Sequence, residues 1–303
     1  MKKWLEAQGA TGSRCEEDVY FVRKAGKMVA TVLAFVDDIK ALGEEWAATD
    51  LMSKIQEKFK CSSDGPLGKY VGLEFKRVNE GIEISQSSFA EQILDKFGMK
   101  DCNCGDMPTQ HKEDLTKRKE GEKAMDKEDK TTFRSGVVSL MFLAINTRPD
   151  LCWITNILSQ SMEDPTDRHM MALKMALRYI QKTKHHCLRY EWSKVNSMEV
   201  YSDSNWGVPR NKSGGVLFAW GNPVKWWTRR QHTVAMSTTE AELVGQAEAV
   251  RELRTGENFA KEALERPLSQ ATIYGDNAKT IDMSNGDCTR RMVKHLDLAE
   301  GLS

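Results

Sequence analysis

Four carboxylates in the last third of the chain, Asp203, Glu240, Asp276 and Asp297, fall at expected element boundaries. Asp203 follows a short strand, Val200-Tyr201-Ser202, and Asp276 follows another, Ala271 to Tyr274. Glu240 stands at the start of a long helical pattern, and Asp297 lies near the last residue. Hard divalent cations take several oxygen ligands, and carboxylates projecting from separate elements can converge on one. Two such ions close together can hold a phosphodiester, activate a water and stabilise the leaving oxygen. Any one of these acids, taken alone, reads as solvated surface, because Asp and Glu are mostly exposed. The set of four is what points to chemistry. A second acidic pair, Asp37-Asp38, ends a strand-like run and suits either a cation or a plain turn.

These acids need elements to hold them. Val19 to Arg23 and Lys27 to Phe35 flank Ala25-Gly26 and read as a hairpin that runs into Asp37-Asp38. Glu45 to Phe59 carries Leu51, Ile55 and Phe59 at helical spacing. Val71, Leu73 and Phe75 alternate with polar residues, and Ile82 and Ile84 continue the alternation after the Asn79-Glu80-Gly81 turn. Ser88 and Glu91 have capping-box spacing for a helix with Phe89, Ile93 and Phe97 on one face. Phe133 to Asn146 is expected to be helical, as is a segment capped by Thr166-Asp167 with Met170, Leu173, Leu177 and Ile180 on one side. Beyond Met198 come three strands (Val200–Ser202, Gly214–Trp220, Val224–Thr228), a helix from Thr238 to about Leu264, and a fourth strand. That order is an α/β arrangement with acids at strand ends.

Composition sets bounds on function. The 303 residues balance 44 Lys and Arg against 44 Asp and Glu, so bulk charge gives no argument for non-specific nucleic-acid binding. Seven scattered cysteines, an odd number, read as reduced thiols, and Cys102-x-Cys104 without a second pair is a poor zinc signal. No run approaches the length of a membrane span, and no targeting signal is seen; the expectation is an intracellular protein of cytoplasm or nucleus that does not engage a membrane. Between Gln110 and Lys130 charged residues dominate, which predicts a solvated loop or frayed helix joining two parts of the molecule. Lys225-Trp226-Trp227-Thr228-Arg229-Arg230 interleaves aromatic and basic residues as a nucleic-acid surface does. The same alternation makes a strand with one Trp buried and its charges solvated, and that plainer reading weighs more.

One further signal is the order of short motifs. Val200-Tyr-Ser-Asp-Ser-Asn-Trp206, Asn211-Lys-Ser-Gly-Gly215, Arg230-Gln-His-Thr-Val-Ala-Met-Ser-Thr-Thr-Glu-Ala-Glu-Leu243, Tyr274-Gly-Asp-Asn277 and Lys294-His-Leu-Asp297 together resemble the ribonuclease H domain of copia-type LTR retrotransposon Pol polyproteins. Upstream, Phe35-Val-Asp-Asp-Ile39 is similar to the reverse-transcriptase palm signature. Gly68-Lys-Tyr-Val-Gly-Leu-Glu-Phe75, Phe133-Arg-Ser-Gly136 and Thr147-Arg-Pro-Asp-Leu151 resemble the same polyprotein in the same order.

The resemblance implies a mixed α+β and α/β fold. A truncated reverse-transcriptase palm and thumb (1–109) would be joined by a charged linker (110–131) and a helical connection (132–194) to a ribonuclease H-like α/β domain (195–303). It implies two Mg²⁺ ions, with Mn²⁺ as a substitute, held by Asp203, Glu240, Asp276 and Asp297, and a polymerase metal site at Asp37 and Asp38. Glu242 is a rival for Glu240, since the two point in different directions on a helix; the family pattern favours Glu240. The implied substrate is the RNA strand of an RNA–DNA hybrid, with Lys225, Trp227, Arg229, Arg230, Asn277 and Lys294 against the nucleic acid. The palm's third carboxylate and the fingers lie, in the family, upstream of this sequence. The expectation is therefore that polymerisation needs the N-terminal polymerase region or another Pol chain. The segment Arg290-Arg-Met-Val293 departs from the family pattern. It favours the rival reading, an inactive retroelement-derived module that only binds nucleic acid or protein.

Overall fold

In the computed structural model the described residues are 1–276, apart from 63–64, 66–67, 110–114, 116, 193–194, 206–210, 233–234, 236 and 265–269. The chain begins with a short helix, α1 (Lys2–Ala7), then β1 (Ala10–Gly12), β2 (Val19–Lys24), β3 (Lys27–Phe35) and β4 (Asp38–Gly43). These four strands form one antiparallel sheet in chain order. Helix α2 (Glu45–Phe59) turns Leu51 and Ile55 into a small core with Leu5, Tyr20 and Val32. The expected hairpin and helix are both present; β1, only three residues long, and β4 were not expected.

A second layer is mainly helical. β5 (Glu74–Val78) and β6 (Gly81–Ser85) pair, and α3 (Ser87–Lys96) follows. The capping box expected at Ser88 and Glu91 does not form. Glu74 across the sheet accepts the Ser88 N–H at 3.0 Å instead, satisfying the same orphan donor from outside the helix. α4 (Lys127–Asn146) starts inside the charged stretch, because Asp126 accepts the Asp129 N–H at 2.8 Å and Glu128 and Asp129 complement the positive end of the helix. A 3₁₀ turn at Pro149–Leu151 leads into α5 (Cys152–Ser159) and then α6 (Asp167–Thr183), which opens with a capping box between Thr166 and His169. Phe133, Leu140, Leu151, Ile154, Leu158, Leu173 and Ile180 form the largest core.

The charged stretch is more tightly held than its composition implies. Leu115 is 1% exposed within that helical core, Arg168 pairs with Glu122 at 2.7 Å, and Arg118 pairs with Asp164 at 2.7 Å. One buried leucine, the partly buried Met125 and two ion pairs fasten a segment that is otherwise mostly charged.

β7 (Leu188–Glu191) returns to pair with β6. Then come β8 (Ser197–Asn205), β9 (Lys212–Ala219), β10 (Asn222–Arg230), α7 (Thr238–Leu264) and β11 (Gln270–Tyr274). Their sheet has the order β10-β9-β8-β11, with β8–β9–β10 antiparallel and β11 parallel to β8. Helix α7 packs Ala249, Leu253 and Ala260 on one face of the sheet, against Val200, Leu217 and Trp227. It is the crossover that a parallel strand pair requires. The layers interlock: Trp226 Nε1 donates to the Ala144 carbonyl at 2.6 Å, and Ser13 Oγ donates to Glu262 at 2.7 Å. The chain is a mixed α/β structure with several sheets. Among the described residues no helix is long and apolar enough to cross a membrane.

Candidate metal centre

The parallel pairing of β8 and β11 decides the site. Its last pair is Tyr201 with Tyr274, so both strands run in the same direction to this point, with Asp203 two residues further along β8, still paired with β9, and Asp276 just after β11. Alternation along β8 buries Val200, Ser202 and Ser204 under α7 and turns Tyr201 and Asp203 outward. Ser237 Oγ accepts the Glu240 N–H at 3.1 Å, which starts α7. The first turns of α7 then supply the third acid.

That acid is Glu242. Carboxylate oxygens of Asp203, Glu242 and Asp276 all lie within 4.8 Å of one another. Glu240, the acid expected from the family pattern, is not in this group. Two residues along a helix turn through about 200°, so only one of the pair can face the strands. A signal for Glu242 exists in the sequence: Glu242, Gly245, Ala249 and Leu253 recur at helical spacing, and all four are buried on one stripe. Glu242 is 9% exposed. Burial, then the negative charges of Asp203 and Asp276, push its carboxyl above the ordinary range, against one hydrogen bond from the Ser204 backbone. Three converging carboxylates, one of them partly desolvated, suit a hard dication such as Mg²⁺.

A cleft of about 520 Å³ opens over Asp203 and Asp276, walled by Tyr201, Val216 and Tyr274 and floored by Gly214 and Gly215. Gly215 carries no side chain because the Trp227 ring lies across it: a Cβ there would stand 2.3 Å from that ring. The Tyr201 and Tyr274 rings stack with centroids 4.6 Å apart and planes 12° from parallel.

The other expected site residues scatter. Asp297, Asn277 and Lys294 lie outside the described residues. Asp37 and Asp38 sit at the tip of the β3–β4 hairpin, where Phe35 pairs with Asp38 and Val36 takes a positive φ of 49°. That conformation is unusual for a β-branched residue. Asp38 accepts the Val71 N–H at 3.0 Å. Among the described residues no third acid, His or Cys joins this pair in a ligand cluster. Trp227, expected against nucleic acid, is 7% exposed in the sheet core, so no ring face is open to a base. Lys225 and Arg229 lean over α7 to Glu252, at 2.5 Å and 2.8 Å. Arg230 is exposed at the end of β10. The strand reading of this segment describes its layout better than a basic binding face.

Residues 3–111, which hold the hairpin and its sheet, match the family described as reverse transcriptase (RNA-dependent DNA polymerase). Similar proteins extend the match along the chain. The Retrovirus-related Pol polyprotein from transposon TNT 1-94 of Nicotiana tabacum is 28% identical over 289 residues, covering 92% of this chain and 22% of that polyprotein. The corresponding polyprotein from transposon RE1 of Arabidopsis thaliana is 28% identical over 91% of this chain and 19% of its own length. An uncharacterized mitochondrial protein of Arabidopsis thaliana is 32% identical over 216 residues, 70% of this chain and 88% of that protein. The chain belongs to the copia-type retrotransposon Pol family of reverse transcriptases, and it spans about a fifth of the length of the polyproteins it matches.

Proposed function

We propose that the chain hydrolyses the RNA strand of RNA–DNA hybrids at Asp203, Glu242 and Asp276, in the manner of a ribonuclease H domain of a Pol polyprotein. The observation that carries this reading is the convergence of the three carboxylates, from two parallel strands and the helix that connects them. The parallel β8–β11 pair supports it, because it brings Asp203 and Asp276 to the carboxyl-terminal side of both strands. The donor set is all carboxylate oxygen, which fits Mg²⁺ or Mn²⁺ and fits a soft metal poorly. Asp203, central in the cleft, would be shared between two ions; Glu242 and Asp276 would complete the shell of one. Asp297 is assigned to the other by family resemblance.

When bound, the ions supply a water of lowered pKa and charge stabilisation at the leaving oxygen. The protein's own part is positional. Two strands and a helix fix the three carboxylates before substrate arrives. The glycine floor leaves room for a phosphodiester, and the stacked tyrosines form one wall. Asp37 and Asp38 are assigned to polymerisation, in concert with the rest of a Pol assembly. The alternative, a module that only binds, has less support, because Lys225 and Arg229 are engaged by Glu252.

The test is cleavage of an end-labelled RNA–DNA hybrid in Mg²⁺ by the purified chain, beside Asp203→Asn and Asp276→Asn. Cleavage abolished by both substitutions supports the reading. A folded chain that cleaves in neither Mg²⁺ nor Mn²⁺ refutes it.

A further inference from the structure

Beneath the acidic cleft lies a buried polar cluster that hydrolysis itself does not require. Its centre is Gln231, which is 0% exposed. Gln231 Nε2 donates to the Ala241 carbonyl at 2.8 Å and to Ser213 Oγ at 2.8 Å, with Ser204 Oγ at 3.4 Å. Ser204 Oγ in turn donates to Ser213 Oγ at 3.3 Å. The Gln231 backbone N–H is held by the Asn211 carbonyl at 2.9 Å.

The orientation of this amide is fixed by chemistry. A carbonyl can only accept, so the NH₂ end must face Ala241. The other end, Oε1, is buried with no hydrogen-bond partner among the described residues. Filling the space alone would not need an amide; a methionine of similar size would do so without burying an unmatched oxygen. The groups it grips explain the choice. Ala241 immediately precedes Glu242, and Ser204 immediately follows Asp203. One side chain therefore ties together the two backbone segments that carry two of the three clustered acids.

Gly245 completes the arrangement one turn along α7. A Cβ at this position would stand 2.1 Å from Ser204 Oγ, so α7 crosses β8 closer than any side chain allows. Bond and close approach act on the same gap.

We propose that Gln231 is a positioning residue that sets the separation of Glu242 from Asp203, acting through Ala241 and Ser204, with Gly245 admitting the approach. This inference rests on the metal-site reading above, and it assigns the tuning of ion affinity to a residue that touches no ion. Partners that orient metal ligands in this way typically change affinity by about 10–100-fold when removed.

The experiment is a Mn²⁺ titration of the full chain followed by electron paramagnetic resonance, with circular dichroism confirming the fold of each variant. Gln231→Met keeps the volume and removes the bonds; its Mn²⁺ affinity is expected to fall by about 10–100-fold while the chain stays folded. Gly245→Ala is expected to weaken binding similarly. Folded Gln231→Met with wild-type Mn²⁺ affinity overturns the inference. Should Gln231→Met not fold, Gly245→Ala decides: a folded Gly245→Ala chain with wild-type Mn²⁺ affinity overturns it too. A wild-type chain that binds no Mn²⁺ refutes the metal site itself, which is a distinct result.

Discussion

Arg229 on β10 and Glu252 on α7 meet at 2.8 Å across the edge of the sheet, and Lys225 takes the second oxygen of the same carboxylate at 2.5 Å. Burial alone would raise the Glu252 carboxyl; the bonds from Lys225 and Arg229 outweigh it and hold the group below its ordinary range. Helix α7 is thus clipped to β10 ten residues beyond Glu242, nearly three helical turns.

Replacing Glu252 by Gln should lower stability by about 1 kcal/mol, a modest figure because both cations are nearly half exposed and solvent screens them. The midpoint of urea unfolding measures it. The difference should narrow at about 1 M salt, where exposed charges are screened within a few ångströms. An unchanged midpoint at low salt would show the clip to be inert.

Glu242→Gln should reduce hybrid cleavage by at least about 100-fold, the scale on which catalytic geometry lost by about 1 Å is felt, whereas Glu240→Gln should cost little. Both substitutions remove one carboxylate from the same helix turn, so general effects on folding cancel in the comparison. Equal losses, or loss confined to Glu240→Gln, would refute the assignment of Glu242.

Leu115→Ala tests whether the charged stretch is anchored. A leucine 1% exposed in a packed core loses about 2–5 kcal/mol on truncation to alanine. A free linker would lose almost nothing. Thermal unfolding of the two proteins side by side distinguishes these outcomes.

The Glu122–Arg168 pair makes a prediction in pH. The hydrogen bond from Arg168, with a second from the Lys119 backbone, holds the Glu122 carboxyl at about 2 instead of the ordinary 4.5. An acid depressed in the folded state contributes stability above its unfolded value, and that contribution is lost as pH falls through the folded value. The stability advantage of wild type over Glu122→Gln should therefore be full above about pH 4.5 and decay as pH drops towards about 2. An advantage that stays constant across that window would contradict the pairing.

What could be read in advance divides along the range of the interactions. Helix α7 and strand β11 were legible because their patterns are local: small and apolar residues recur at helical spacing from Ala241 to Ala260, and Gly275 closes the strand. β7 was missed because Leu188–Glu191 becomes a strand only by pairing with β6, far away in sequence. Asp276 could be placed from a strand end alone; Asp203, expected just after a strand, lies within β8, which continues to Asn205 by pairing with β9. Glu242 could not be chosen over Glu240 by family pattern; the buried stripe through Gly245 and Ala249 would have chosen it. The capping box at Ser88 was a correct reading of propensity that lost to a tertiary partner, Glu74. Trp227 carried an ambiguity that only burial could resolve.

The in-register parallel pairing of β11 with β8 has a kinetic meaning as well. Hairpins such as β8–β9 close over short loops, but β11 must find β8 after the whole of α7 has intervened, and such long-range pairing is slow to form. Asp203 and Glu242 reside on elements that can pack early, whereas Asp276 follows β11, so the three-carboxylate cluster is complete only once that long-range pairing has formed.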